Sequence, residues 1–100
     1  MKYYIFKLLP PRPDFAATMT PAELALMQTH SAYLKGFMDK GQILVFGPVL
    51  DPVGAYGLAV VRLPDDIAPD TIWSNDPVIK AQAGFSYHIA PMLNAVFPQQ

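Results

Sequence analysis

The chain has no cysteine, and that absence removes disulfide bonds, thiolate zinc sites and a cysteine nucleophile together. Charge is also scarce: only 15% of the residues are charged, against roughly 25% in an average soluble domain. Its 7 basic and 8 acidic residues give a formal net charge of -1 and are scattered along the chain, so there is no electrostatic footprint for a nucleic-acid backbone or an anionic membrane surface. No segment approaches the ~20 consecutive apolar residues of a membrane span. The opening residues 1–9 are broken by Lys7 and stop at Pro10-Pro11 without a small-residue cleavage site, which marks a strand rather than a leader peptide. A cytoplasmic protein is the expected default.

What the chain does have is apolar surface: 52% hydrophobic residues in 100 positions. One hundred residues make a single domain, expected to run from 1 to 100 with 91–100 as a tail. A monomer of this size buries a limited share of its surface, so so apolar a composition predicts a partner subunit. A homodimer is expected, with assembly above the dimer left open.

Aromatic and branched residues over 2–9 predict a first strand, followed by a turn-rich loop over 10–19. Thr20-Pro21-Ala22-Glu23 carries a capping threonine, a first-turn proline and the glutamate of a capping box, the clearest helix start in the chain. Leu24, Met27, Ser31, Leu34 and Met38 then recur at helical spacing beside a second line of Leu26, His30, Tyr33 and Phe37, and Gly41 supplies the stop. The predicted helix spans about 21–40. Residues 42–50 and 55–63 read as a hairpin joined by Asp51-Pro52-Val53-Gly54. Proline breaks the acidic stretch 65–75, where one short or irregular helix is expected. Asp76-Pro77 predicts a fresh cap and a further helical turn over 77–83, and 85–90 forms the last strand.

The order is β-α-β-β-α-β, which points to an α+β, ferredoxin-like fold with a four-stranded antiparallel sheet and both helices on one face. Period-2 alternation puts Ile43, Val45 and Val49 on one side and Leu44, Phe46 and Leu50 on the other, while Leu58 and Val60 oppose Ala59, Val61 and Leu63. Both faces of the sheet are thus apolar. A second sheet packed on the helix-free face would cover it.

Candidate chemistry rests on few residues. His30 lies in the apolar stripe of the long helix, and it is either a core-edge histidine bonded to a backbone carbonyl or an acid/base group at a cleft. Asp76 is a helix cap by its Asp-Pro context, and the same carboxylate could orient an imidazole, the arrangement that fixes a histidine tautomer in many acid/base sites. His88, on the last strand, is better suited to interface packing. Gly47-Pro48 interrupts its strand, either because the strand is an edge or bulged, or because a bare backbone leaves room for a ligand. Tyr33, Tyr56, Trp73, Phe85 and Tyr87 are candidates to line an apolar pocket, and Arg12 in the proline-rich loop is a candidate to meet a ligand carboxylate. No phosphate-binding glycine loop and no metal-ligand spacing is present, so neither a metal nor a cofactor is expected.

Taken together, Lys2-Tyr3-Tyr4-Ile5-Phe6, the helical Met27-Gln28-Thr29-His30-Ser31-Ala32-Tyr33-Leu34, Gly41 with Leu44-Val45-Phe46-Gly47-Pro48, and Asn75-Asp76-Pro77 resemble the YCII-related family over nearly the whole chain. The resemblance implies the dimeric α+β barrel superfamily, whose ferredoxin-like protomers pair through their sheets. It also implies a cleft in which a His-Asp pair is the proposed active site, here His30 and Asp76, with Gly47 and Pro48 near the pocket. Relatives in that superfamily include muconolactone isomerases, dehalogenating enzymes, haem-degrading monooxygenases and simple ligand binders. The chain departs from the family pattern at its second helix, where Pro64, Pro69 and a short acidic run replace an amphipathic segment.

The expected function is cofactor-independent acid/base chemistry, an isomerisation or an elimination of the dehalogenation type, on a small cyclic or aromatic metabolite. The alternative is a non-catalytic protein that binds a small ligand in the same cleft. Haem binding with His30 as axial ligand has no support beyond the lone helical histidine.

Overall fold

The structure is a computed structural model and describes residues 1–98. Four strands, β1 (Lys2–Leu9), β2 (Ile43–Val49), β3 (Tyr56–Leu63) and β4 (Ser86–Pro91), form one sheet in the order β2-β3-β1-β4, and every neighbouring pair is antiparallel. Four helices join them: α1 (Phe15–Thr18), α2 (Pro21–Asp39), α3 (Asp70–Trp73) and α4 (Pro77–Lys80). This is the ferredoxin-like α+β arrangement, with the weak second helix divided into two single turns. Pro69 and Pro77 explain the division, since each can open a helical turn and neither can continue one. No periodic signal marks α1, which is a single turn inside the loop over 10–19.

The helix-facing side of the sheet holds the core. Phe6, Ile43, Ala59, Val61 and Leu63 are buried there against Leu34 of α2 and Ile72 of α3. α2 begins as its residues dictate: the Thr20 hydroxyl accepts from the Glu23 amide at 3.1 Å, and the Glu23 carboxylate accepts from the Thr20 amide at 2.9 Å.

One expectation about the sheet fails. Ile43 and Val45 do not share a face, because the β2–β3 register shifts between them: Ile43 opposes Val61 and Val45 opposes Val60. The extra residue is a bulge, which inverts the alternation and puts Ile43 and Phe46 together on the core side. Ile43 is accordingly buried, whereas Val45 is 56% exposed. Gly47 and Pro48 are not the bulge. They pair regularly with Leu58 and Gly57, and the proline is tolerated because β2 is an edge strand.

The helix-free face carries Ile5, Val45, Val49, Leu58 and Val60, interspersed with Lys7, Arg62 and His88. The last strand extends to Pro91, one residue beyond the expected end, so the tail starts at Met92, whose amide bonds the Tyr3 carbonyl at 2.9 Å. Phe97 then packs on Tyr3 with ring centroids 5.9 Å apart. Residues 99–100 of the expected tail lie outside the described residues.

The loop before α2 is fixed at three consecutive residues. Pro11 sits on Gly84, Pro13 sits on Gly54, and Arg12 between them reaches Glu23 and Thr18. Gly84 has φ +91°, and a Cβ there would lie 2.8 Å from the Pro11 Cβ. Gly84→Ala therefore combines a left-handed backbone with a clash, and is expected to cost about 1–3 kcal/mol in urea unfolding. An unchanged midpoint would show that the loop is not held there.

Candidate active site

His30 reaches Asp76 across the contact between α2 and α4. His30 Nδ1 and Asp76 Oδ2 are 2.7 Å apart. Asp76 caps α4 as its Asp-Pro context predicts, since its Oδ1 accepts from the Val78 amide at 3.0 Å. The same carboxylate thus ends a helix with one oxygen and meets the imidazole with the other.

A third group completes the arrangement. Tyr87, on the core-facing side of β4, donates its hydroxyl to Asp76 Oδ2 at 2.7 Å. Burial, followed by the charge of Asp76 and their hydrogen bond, pushes the Tyr87 phenol well above its ordinary pKa, so the phenol keeps its proton and acts as a donor. Asp76 is fully buried and accepts from Tyr87 and Val78, which makes it an acceptor toward its third partner as well. The neutral ring of His30 accordingly carries its proton on Nδ1 and its lone pair on Nε2. Among the described residues no buried side-chain nitrogen or oxygen lacks a partner, and Nε2 has none among them, so Nε2 is open to an incoming group.

His30 lines a cavity of about 290 Å³ between the core-facing side of the sheet and the helices α1 and α2. Phe6, Leu8, Phe46 and Tyr87 form its floor, Phe15 and Met19 close it from the loop, and Met27 and Ser31 flank His30 on α2. Phe15 is held by an edge-on contact with Phe85, ring centroids 5.3 Å apart.

The residues singled out from the sequence divide clearly. His30, Asp76, Gly47 and Pro48 come together, the first two in direct contact and the last two in the cavity wall. Tyr56, Phe85 and Tyr87 also line it. Tyr33 and Trp73 do not: both pack on the core, and the Tyr33 hydroxyl donates to the Ile72 carbonyl at 2.7 Å, with burial the main cause of its raised pKa. His88 is exposed on the helix-free face.

Arg12 does not line the cavity either. Its guanidinium makes a two-pronged contact with Glu23 at 2.8 and 2.7 Å and bonds Thr18 through Nε and Nη2. The Arg12 bond and the Thr20 amide hold the Glu23 carboxyl at about 2, below its ordinary 4.5. A carboxyl depressed on folding adds stability that is complete above about pH 4.5 and is lost as pH falls through about 2. Glu23→Gln is expected to flatten that part of the acid-unfolding curve. An unaltered curve would dismiss the clasp as a contributor.

Met19 and Phe15 escaped the sequence reading, and Tyr87 was named without its partner. Met19 and Phe15 belong to the loop whose single helical turn had no periodic signal. Tyr87 was one of five candidate aromatics, but nothing along the chain marked it as the partner of Asp76. Its register opposite Leu8 puts it on the core side, which only the sheet pairing reveals.

Among the described residues, no helix is long and apolar enough to cross a membrane. No curated protein matches the chain. The family model described as the YCII-related domain matches residues 1–93, a span that includes His30, Gly47, Pro48, Asp76 and Tyr87. A match over so much of the sequence shows that the chain belongs to the YCII-related domain family.

Proposed function

We propose that this protein is a small cofactor-independent enzyme in which His30 moves a proton on a small cyclic or aromatic metabolite, giving isomerisation or elimination, including elimination of halide. The observation that carries this reading is the 2.7 Å contact of His30 Nδ1 with a fully buried carboxylate, while Nε2 is unpartnered and His30 lines the cavity. Nε2 takes a proton from a substrate carbon or hydroxyl, and the imidazolium so formed is stabilised by Asp76. Returning that proton to a different atom completes an isomerisation. If the substrate instead expels a leaving group as the proton departs, the outcome is elimination, with the proton on His30 and the electron pair on the departing group.

Tyr87 and the Val78 amide keep the carboxylate pointed at Nδ1. They are positioning groups, and the imidazole is the group that touches substrate. The test is turnover of cyclic enols, lactones and halogenated phenols by the native protein and by His30→Ala. Turnover that survives the substitution would end the acid/base reading in favour of ligand binding without chemistry.

The working form in this reading is a homodimer. Ile5, Val45, Val49, Leu58 and Val60 form an apolar strip on the helix-free face, and a second sheet laid on it would remove the strip from water. Val45→Lys, which puts a charge at the 56%-exposed position, is expected to lower the sedimentation coefficient to that of an 11.0 kDa monomer. A native protein that already sediments as a monomer would rule out pairing through this face.

A further inference from the structure

We propose that the cavity selects uncharged single-ring compounds carrying a hydroxyl, and rejects carboxylates and other anions of the same size. This inference rests on the cavity being the reaction site, and concerns which substrates enter it rather than what happens to them.

The first observation is charge. Among the described residues no lysine, arginine, aspartate or glutamate is in the cavity wall, whose polar side chains are His30, Ser31 and Tyr87, while Tyr56 turns its ring to Lys7. The Tyr87 hydroxyl is already engaged by Asp76. Behind the wall Arg12 is stacked 5.2 Å from the Phe15 ring, and its guanidinium is taken up by Glu23 and Thr18. Lys7 lies on the opposite face of the sheet, where its ammonium sits 4.4 Å from the Tyr56 ring centroid. An anion entering the cavity would lose its hydration and find no cation to replace it.

With its ring neutral, His30 does not supply one. The imidazole and the Asp76 carboxylate together carry -1 when the ring is neutral and 0 when it is charged. In the neutral-ring form the fixed charge nearest the cavity is therefore negative, and it repels a ligand anion through the ring. A neutral hydroxyl meets the opposite situation, because the Nε2 lone pair accepts from it.

The second observation is size. About 290 Å³ is at or below the smallest usual ligand pockets, of roughly 300 Å³. A cavity of that volume suits a small ligand such as one substituted ring. Leu8, Phe15, Phe46 and Phe85 supply the flat apolar contacts that such a ring needs.

The test is calorimetric binding of phenol, catechol and hydroquinone against benzoate and 4-hydroxybenzoate at neutral pH, where the phenols are uncharged and the carboxylic acids are ionised. The phenols are expected to bind at least about 10-fold tighter, as desolvating an unpaired anion demands. Benzoates that bind equally well or better overturn the proposal, and so does an absence of binding by both series. Met19→Lys, which introduces a cation into the wall, is expected to raise benzoate affinity about 10-fold, and no gain would refute the charge argument. The same ranking measured in His30→Ala separates this inference from the catalytic one: a variant that keeps full turnover and still prefers phenols sinks only the acid/base reading.

Discussion

Substituting alanine for His30 is expected to slow turnover by about 10²- to 10⁴-fold, the usual contribution of a positioned histidine to proton transfer, while the protein stays folded. The fold should survive because position 30 is in the interior of α2, where alanine is a better helix former, and because Asp76 keeps its bonds to Tyr87 and Val78. The loss should fall on kcat more than on KM, since the apolar wall that binds the ring is untouched. Steady-state kinetics with circular dichroism of the same sample separates these effects. A variant that is folded and fully active would remove His30 from the chemistry.

Asp76→Ala should have the largest effect on stability. It removes the cap of α4 and leaves three donors without their acceptor: the Val78 amide, the Tyr87 hydroxyl and the Nδ1–H of His30. Asp76 is fully buried, so solvent cannot readily take its place. Breaking a buried charged network from one side typically costs about 3 to 5 kcal/mol, a large part of the ~5–15 kcal/mol that holds a small domain together. Equilibrium denaturation checks this, and a loss below about 1 kcal/mol would mean that water enters and satisfies the donors.

Asp76→Asn isolates the electrostatic role. Asparagine can still cap α4, but its amide nitrogen offers donors where Tyr87 and His30 already donate. The imidazole is expected to move its proton to Nε2 and accept at Nδ1, which leaves no lone pair toward the cavity. Ring ¹⁵N chemical shifts would show the exchange directly. Activity should fall with it by about 10³- to 10⁴-fold, as when an orienting carboxylate is lost from a histidine base. An unchanged tautomer with lost activity would assign Asp76 some other part.

The distribution of legible and illegible features follows from range. Thr20-Pro21-Ala22-Glu23 specified the start of α2 because a capping box closes within four residues, and Asp76-Pro77 specified the start of α4 for the same reason. The bulge between Ile43 and Val45 was illegible. Alternation along β2 looks unbroken, and the shift exists only relative to β3. The one-turn helix Phe15–Thr18 is too short for any period to be seen.

The site divides along the same line. By itself the sequence determined the ferredoxin-like order of elements, the scarcity of charge, and a histidine and an aspartate whose surroundings set them apart. Each of these is written in local composition, spacing or resemblance. Only the tertiary structure decided that His30 and Asp76, 46 residues apart, are bonded, that Tyr87 shares the carboxylate, and that Arg12, Tyr33 and Trp73 serve the scaffold instead of the cavity. Those outcomes depend on which helix packs on which and on the register of β4 against β1. Such contacts are fixed by the collective burial of Phe6, Leu34, Val61, Leu63 and Ile72, and by no property of any one of the residues they bring together.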